Sequence, residues 1–382
     1  MSPIGGFPYP YGRQEWRRRK ADHNVGRMRK YQVTALTCAI APLVAGMGAL
    51  APAASARSAP EQVVLPGQSV QKAVDAAAPG ATVVLTRGTY RGSVTITKPL
   101  TLRGAGGQTV IVPGEDGKAP DACTEAGNGI CVTGTDEHPV TGVRIHSLTV
   151  EGFEKNGVSA TRTDRLEVHR VTARDNGRWG IAQDRSTRAS IRYNTASGNG
   201  DAGLYTANVF EADAESRTYD TRGTVISGNR LTGNRIGMTT RRLGNLTVEH
   251  NLVTGNCAGV FVVLPRTVGD LTVRRNAVHE NNRYCPAAAR LPHLQGVGIV
   301  LVGTEKALVT QNSVRDNRGD SPYSGGIVVF GSMDGVANDR NVIRGNLVLG
   351  NLPADLATRD AEGKDNEFTG NICRTSEPAG TC

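Results

Sequence analysis

The chain has 382 residues, a formal net charge of +9, 47 glycines and few aromatic residues. Most of the excess positive charge lies in residues 1–56, and the remainder carries a formal charge of only +3, with basic and acidic residues interspersed. This composition excludes a strongly basic face, so we expect no nucleic-acid partner.

Residues 1–56 have the pattern of an export signal. Basic residues precede an apolar run at 33–50, which ends at the small-x-small triplet 54–56, and Met28 is an alternative start. We therefore predict a secreted protein with no membrane segment after cleavage, whose single domain spans residues 57–382.

The mature chain begins with a predicted capping helix at about residues 69–78. Val70, Ala73, Val74 and Ala77 follow helical spacing, and a Pro-Gly pair ends the run. A helix here would cover the open end of a stack of strands, which exposes unpaired backbone groups.

An internal repeat dominates the rest of the sequence. The motif Asn-x-(apolar or Ala)-x-x-Asn recurs at intervals of 22 to 25 residues, or at that interval plus an insertion. Its copies are Asn194/Asn199, Asn229/Asn234, Asn251/Asn256, Asn276/Asn281, Asn312/Asn317 and Asn346/Asn351. We expect these asparagines to stack in successive coils and to bond one another and the turn backbone, as a structural ladder.

Each asparagine pair is followed by a glycine that opens a short apolar strand, as at Gly180-Ile181 and Gly203-Leu204. Two or three short strands per repeat cannot bury a face alone, whereas stacked coils create a continuous interior. The pattern predicts an all-β, single-stranded parallel β-helix of nine or ten coils.

The capping segment, the stretch Pro-Gly-x-Thr-Val-x-Leu-x-x-Gly-Thr-Tyr at residues 79–90 and the repeats resemble secreted bacterial right-handed β-helix proteins of the pectin-lyase-like superfamily. The resemblance covers about residues 61–375 and implies a right-handed solenoid. This superfamily contains lyases, hydrolases, epimerases and binding modules, so fold does not decide activity. Neither the carboxylate set of polygalacturonases nor the Asp-Pro-His-Asp motif of alginate epimerases is present.

Six cysteines remain after residue 56, which allow fifteen pairings. Neighbours in sequence suggest the pairs Cys123 with Cys131, Cys257 with Cys285, and Cys373 with Cys382. Such pairing indicates an oxidising compartment.

The coil register groups candidate site residues on the outer face of the glycine-led strands, because alternate side chains along a strand point outward. The predicted catalytic residues are Asp184, Arg185, Tyr205 and Arg241, and the predicted substrate-binding residues are Arg162, Asn208 and Arg242. Insertions at 209–222, 283–295 and 318–325 are expected to rim this face as a groove.

Arginines can neutralise a uronate carboxylate and so acidify the adjacent C–H bond, after which a tyrosine or arginine could remove the proton in β-elimination. Hydrolysis fits less well, because it needs two opposed carboxylates. The alternative is a solvated, salt-bridged surface.

A second predicted cluster lies on the strands before the asparagines: His146, His169 and Arg192 share one outward column, with Arg144 and Glu167 two residues back. It could serve acid/base chemistry or be a polar surface ladder. No cofactor is expected, except that the acidic segment Glu211, Asp213, Glu215 and Asp220 could hold Ca²⁺.

Two functions remain open from the sequence. The first is a non-catalytic, monomeric module that binds a polysaccharide or cell-surface glycan; the alternative is a polysaccharide-active enzyme, a lyase on uronate-containing chains. Trp179 is the one tryptophan after residue 56, which leaves little provision for stacking sugar rings.

Overall fold

The computed structural model describes residues 60–114, 122–208, 218–263, 270–288, 291–332 and 335–382. All of them belong to one compact unit, Arg57–Cys382. The predicted export signal and the acidic residues Glu211, Asp213 and Glu215 lie outside the described residues. None of the helices in these ranges has the length and hydropathy that a membrane-spanning segment needs.

Three long parallel sheets, A, B and C, contain 12, 10 and 11 strands. The strands of sheet A are Glu61–Val64, Thr82–Leu85, Thr101–Arg103, Arg144–His146, Glu167–His169, Ser190–Arg192, Tyr219–Ser227, Leu243–Glu249, Leu271–Arg274, Ala307–Thr310, Val342–Arg344 and Glu367–Thr369. The strands of sheet B are Gly88–Arg91, Thr109–Val112, Thr149–Glu151, Thr172–Arg174, Thr195–Ser197, Arg230–Thr232, Leu252–Thr254, Ala277–His279, Ser313–Arg315 and Leu347–Leu349.

The strands of sheet C are Val94–Ile96, Ile130–Thr133, Val158–Thr161, Ile181–Asp184, Ala202–Ala207, Ile236–Arg241, Ala258–Val263, Val297–Val302, Gly325–Phe330, Leu356–Arg359 and Ser376–Glu377. Val140–Thr141 and Thr163–Asp164 form a two-stranded sheet, and Ala122–Glu125 is a short helix. The predicted parallel β-helix is confirmed, and with 10 to 12 strands in each long sheet it is slightly longer than the nine or ten coils predicted from the repeat.

Each strand pairs in parallel with its copy in the next coil, so residues at equal positions form columns along the solenoid. In sheet A, Ile145 pairs with Val168 and Val168 with Ile191, and all three are fully buried in the interior. The residues between these buried positions point outward. Aliphatic columns of this kind from all three sheets form one continuous core.

The asparagines form two ladders at the turns on either side of sheet B. In the first, Asn194, Asn229, Asn251, Asn276, Asn312, Asn346 and Asn371 are joined in that order by amide hydrogen bonds of 2.9–3.0 Å. In the second, Asn176, Asn199, Asn234, Asn256, Asn281, Asn317 and Asn351 are joined in the same way. The predicted ladder is thus present at both turns.

Both ladders run in one direction, because each Nδ2 donates to the Oδ1 of the following coil. The second ladder ends when Asn351 donates both its backbone N–H and its Nδ2 to Oδ1 of Asp355. Oδ2 of Asp355 accepts from the backbone N–H groups of Arg374 and Thr375. A carboxylate suits this last position because it needs only to accept hydrogen bonds.

The ladder also explains why glycine opens the strands of sheet C. A Cβ atom at Gly203 would lie 2.9 Å from Nδ2 of Asn234 and 2.8 Å from the carbonyl oxygen of Gly237. A side chain here would therefore push the asparagine out of its ladder.

The ends and the cross-links also follow the sequence. The capping helix is Val70–Ala76, and the Ser69 side chain caps it by accepting from the backbone N–H of Lys72. All three predicted disulfides are formed, between Cys123 and Cys131, Cys257 and Cys285, and Cys373 and Cys382.

One interior column of sheet C is polar, since Gln183, Thr206 and Thr240 follow one another inside the solenoid. Within the described residues, Oγ1 of Thr240 has no hydrogen-bond partner. Removing an unpaired buried hydroxyl relieves a desolvation cost. We therefore expect Thr240→Val to raise the free energy of unfolding by about 1 kcal/mol, as measured by urea denaturation.

The matched control is Thr224→Val, because Thr224 is equally buried but accepts from the backbone N–H of Ala189 and donates to the carbonyl of Thr221. This variant should lose stability. A loss of stability in Thr240→Val of the same size would show that its hydroxyl has a partner.

Candidate functional site

The outer face of sheet C carries the candidate site, and one outward column runs along its whole length. Successive pairings join Thr161, Asp184, Ala207, Arg241, Val263, Val302, Phe330 and Arg359. From Thr161 to Arg241 the column contains two charged residues, Asp184 and Arg241, whereas from Val263 to Phe330 it is entirely apolar. The face therefore divides into two parts with different chemistry.

The apolar part is covered. Phe261, Val300 and Val328 point away from the interior but are almost completely buried, because Leu294 and Tyr323 from two insertions pack over them. The Phe261 and Tyr323 rings lie 5.4 Å apart, in an edge-to-face arrangement. This outer cluster is a second hydrophobic core outside the solenoid.

A disulfide and several hydrogen bonds hold the insertion at 283–295 against the outer face of sheet C. Cys285 is joined to the buried Cys257 by the disulfide, and it exchanges two backbone hydrogen bonds of 2.9 Å with Leu294. Arg235 donates from its guanidinium to the carbonyl oxygens of Pro286 and Pro292. Apolar residues of 283–295 and 318–325 therefore cover part of the face that they were expected only to rim. Most of the third insertion, 209–217, lies outside the described residues.

The polar part contains a group of charged residues at the turns that follow sheet C. Nε of Arg162 donates to Oδ1 of Asp136 at 2.7 Å, and Nη1 of Arg185 lies 3.6 Å from Oδ2 of the same carboxylate. Arg162, Arg185 and Arg242 all have left-handed backbone conformations. Equivalent turns thus present Arg162 and Arg185 from successive coils and Arg242 from the next coil but one, with Asn208 at the position between them.

Asp136 forms ion pairs with both Arg162 and Arg185 and so holds these two arginines together. The hydrogen bond from Arg162 lowers the pKa of Asp136, and the charge of Arg185 adds to the effect. The carboxylate is therefore ionised at neutral pH, and its negative charge partly neutralises both guanidinium groups.

Asp184 and Tyr219 lie within electrostatic range of this group. Asp184 raises the pKa of Arg162 together with Asp136, which forms the main hydrogen bond. Burial raises the pKa of Tyr219, the charge of Arg222 partly opposes this rise, and the charges of Asp136 and Asp184 add to it. The phenol is thus protonated at neutral pH, when it can donate a hydrogen bond.

Tyr205 belongs to an aromatic stack beside this group. Its ring lies parallel to that of Trp179, with 4.0 Å between ring centroids, and the Arg178 guanidinium covers the other side of the indole at 3.9 Å. Burial raises the pKa of Tyr205, and a hydrogen bond from Arg241 partly opposes this rise. Trp179 is itself buried and donates to Asp201, so its ring is not open for stacking on a sugar.

The structure thus brings most of the predicted site residues to one end of sheet C. Arg162, Arg185, Arg241 and Arg242 are partly exposed, whereas Asp184 and Asn208 point out of the solenoid but are only 6% and 8% exposed. These two residues shape the site from beneath rather than line an open groove.

Sequence reasoning did not assign Asp136 to the site, although it connects two predicted arginines. Asp136 lies in a turn outside the repeat, so no column placed it beside Arg162. The pairing of Thr133 with Thr161 brings these turns together, and this register follows from the glycines that open the two strands.

In the second predicted cluster, on sheet A, His146, His169 and Arg192 lie in one outward column, as the repeat predicted. The rings of His146 and His169 lie 5.5 Å apart, and Tyr193 meets the ring of His169 edge-on, also at 5.5 Å. Glu167 lies 3.2 Å from Nε of Arg144 and 3.3 Å from Nε2 of His146, although the second contact is not aligned as a hydrogen bond.

Burial lowers the pKa of His146, and the nearby Glu167 only partly opposes this shift. The imidazole is thus neutral at pH 7, so this cluster carries less positive charge than its residue types indicate. Arg192 follows His169 in the same column and is exposed.

Comparisons with known proteins agree with this architecture. The family described as the right-handed β-helix region matches residues 122–278, and that of the periplasmic copper-binding protein NosD matches residues 208–380. No curated protein matches the sequence.

Solved structures resemble the chain in fold. The A-module of mannuronan C-5 epimerase AlgE6 from Azotobacter vinelandii has a TM-score of 0.56 and 19% identity, over 81% of this chain and 90% of that one. The AlgE4 A-module from the same organism has a TM-score of 0.52 and 19% identity, over 81% and 93%. DFA-IIIase from Arthrobacter chlorophenolicus A6, without its lid, has a TM-score of 0.54 and 14% identity, over 83% and 99%.

Within the part of residues 208–380 that the structure describes, the histidine and cysteine side chains do not fit a copper site like the one that the second family name implies. In the described part of residues 208–380, His250, His279 and His293 lie on different elements, and the cysteines there are in disulfides. His293 is hydrogen-bonded to Asp320 and His279 contacts Thr254. Among the described residues no group of three His, Cys, Asp or Glu side chains could hold a metal ion.

The matches therefore show the solenoid fold and do not show a catalytic activity or a metal site. Three disulfides indicate an oxidising, extracytoplasmic compartment. Parallel coils, asparagine ladders, the cap and the match to the right-handed β-helix family model over residues 122–278 together show that the chain folds as a right-handed parallel β-helix, which is the fold implied by its resemblance to the pectin-lyase-like superfamily.

Proposed function

We propose that this is a secreted, non-catalytic binding module for an acidic, uronate-containing polysaccharide. Its binding surface is the polar part of the outer face of sheet C. The observation that carries the proposal is the group around Asp136, where Arg162 and Arg185 share a single carboxylate. Arg241 and Arg242 add positive charge on the next coil but one.

The geometry suits recognition of carboxylates along a chain. Partly exposed guanidinium groups can form paired hydrogen bonds with a uronate carboxylate, in exchange for part of their contact with Asp136. The Tyr219 hydroxyl can donate to a sugar oxygen. The resemblance in fold to mannuronan epimerase modules favours a uronate polymer as the ligand class.

The state of the tyrosines favours binding over catalysis. A tyrosine that removes a proton acts best when its pKa is lowered towards the working pH. Burial instead raises the pKa of both Tyr205 and Tyr219. We therefore assign them as hydrogen-bonding groups.

The alternative function is a lyase that acts on the same polymers. It is favoured by Arg185 and Arg241, since one guanidinium can neutralise the substrate carboxylate and so acidify the adjacent C–H bond. In β-elimination the C–H proton passes to a base, here a second arginine in its deprotonated form, and the C–O bond to the leaving sugar breaks as the double bond forms. Incubation with a panel of uronate polysaccharides separates the two functions, because elimination creates an unsaturated product that absorbs ultraviolet light. Absorbance that rises in the native protein and is lost in Arg185→Gln would support the lyase.

For the binding function we expect the double variant Arg162→Gln/Arg185→Gln to bind oligouronate about tenfold more weakly than the native protein, because two charge-assisted contacts are lost. Isothermal titration calorimetry at low salt measures the change. Arg230→Gln is the matched control, since Arg230 is an exposed arginine on sheet B. Equal affinities in all three proteins would contradict the proposal.

A further inference from the structure

A concave surface lies on the outer face of sheet A, near the C-terminal end of the solenoid and on a different sheet from the site described above. Its volume is about 700 Å³. It is lined by Thr272, Arg274, Arg275, Leu308, Thr310, Gln311, Arg344, Gly345, Thr369 and Gly370. We refer to it as the sheet A groove.

The concavity follows from the side chains at one turn. Arg275, Gln311, Gly345 and Gly370 occupy this left-handed turn position in four successive coils. The first two carry long side chains and the last two carry none. The surface therefore steps down between Gln311 and Gly345, and Arg344 stands beside the step.

Three arginines make the groove positive. Arg274 is paired with Glu249 at 2.7 Å, and Nε of Arg275 donates to Oε1 of Gln311 at 2.9 Å. Among the residues that the structure describes, the Arg344 guanidinium has no ion pair or hydrogen bond, and it is exposed. Glu367 lies on the last strand of sheet A but is not part of the lining.

We propose that the sheet A groove binds the carboxylate groups of an acidic oligosaccharide that lies along the solenoid axis, with Arg344 as its principal contact and Arg275 as the second. Arg275 directly follows the strand that lies two coils from the strand of Arg344, at a separation of about 10 Å. Acidic groups on a linear chain can meet both positions, whereas one small anion cannot fill the groove.

The remaining lining suits a sugar. Thr272, Thr310 and Thr369 present hydroxyl groups on three of the four coils, and Gln311 adds an amide, so hydroxyl groups of a saccharide have hydrogen-bond partners. The lining includes no aromatic ring, on which the bases of a single-stranded nucleic acid would stack. It also includes no carboxylate, histidine or tyrosine, so it is a binding site without acid/base chemistry.

This inference shares a ligand class with the proposed function but not a surface, and the two can be tested separately. We expect Arg344→Gln to weaken binding of an oligouronate about tenfold at the groove, through loss of its charge-assisted contact. The oligouronate is titrated into Arg344→Gln made both in the native background and in Arg162→Gln/Arg185→Gln. Loss of binding at the sheet A groove can then be measured separately from loss of binding at the site on sheet C. Arg315→Gln, an exposed arginine on sheet B, is the matched control.

Two further ligands decide the class. Inorganic sulfate is expected to bind far more weakly than the oligouronate. Equal affinity would overturn the proposal that the ligand is a polymer and would instead indicate a free anion. A single-stranded oligodeoxynucleotide that binds more tightly than the oligouronate, with the same loss in Arg344→Gln, would overturn the assignment to a saccharide. Arg344→Gln that binds like Arg315→Gln in both backgrounds would overturn the site itself.

Discussion

Replacing Asn256 by alanine is expected to lower the free energy of unfolding by about 3–5 kcal/mol, because it leaves several buried polar groups without partners. Its Nδ2 donates to the carbonyl of Leu231 and to Oδ1 of Asn281, and its Oδ1 accepts from both the backbone N–H and the Nδ2 of Asn234. Asn256 is completely buried, so water cannot replace these bonds.

Chemical denaturation followed by circular dichroism measures this effect, and Asn371→Ala is its control. Asn371 accepts the same two bonds from Asn346 and donates to Ile343, but it is partly exposed at the end of its ladder. We expect this variant to lose about 1 kcal/mol, since solvent can satisfy the groups left behind. If the two variants lose equal stability, burial is not the reason for the cost.

Replacing Phe261 by alanine is expected to lower stability by about 3–4 kcal/mol, as for other buried phenylalanines. Phe261 lies outside the solenoid, yet it is only 3% exposed and packs against Tyr323 in the outer cluster. The cavity should also loosen the insertion at 318–325. Limited proteolysis of native and variant protein would then show faster cleavage in this insertion, while the far-ultraviolet circular dichroism of the sheets is retained.

Tyr284→Ala is the control for this experiment, because Tyr284 lies on the other insertion but is 63% exposed. It should change the stability by less than about 0.5 kcal/mol. Stability and cleavage in Phe261→Ala that match those of Tyr284→Ala would mean that the insertions are not held by the outer cluster.

The solenoid could be predicted from the sequence because its determinants are local and repeated. Asn256 and Gly203 each occur at a fixed offset within a coil, and one coil predicts the next. The register of Asp184 with Arg241 followed from the same spacing. These features need no knowledge of how distant segments pack.

The insertions could not be predicted in this way. Leu294 and Tyr323 have no partner within the repeat, so the sequence did not reveal that they cover Phe261. Asp136 reaches the arginines from an irregular turn. The sheet A groove depends on the absence of side chains at Gly345 and Gly370, and a missing side chain gives no chemical signal in the sequence.

The direction of the second ladder has a consequence for how such a chain can lengthen. A tandem duplication of an internal coil gives every asparagine one donor below and one acceptor above, so the enlarged ladder stays satisfied. A duplicated final coil would instead place a copy of Asp355, which cannot donate, in the middle of the series. Gene duplication can therefore add coils to this protein within its length, but not by copying its last one.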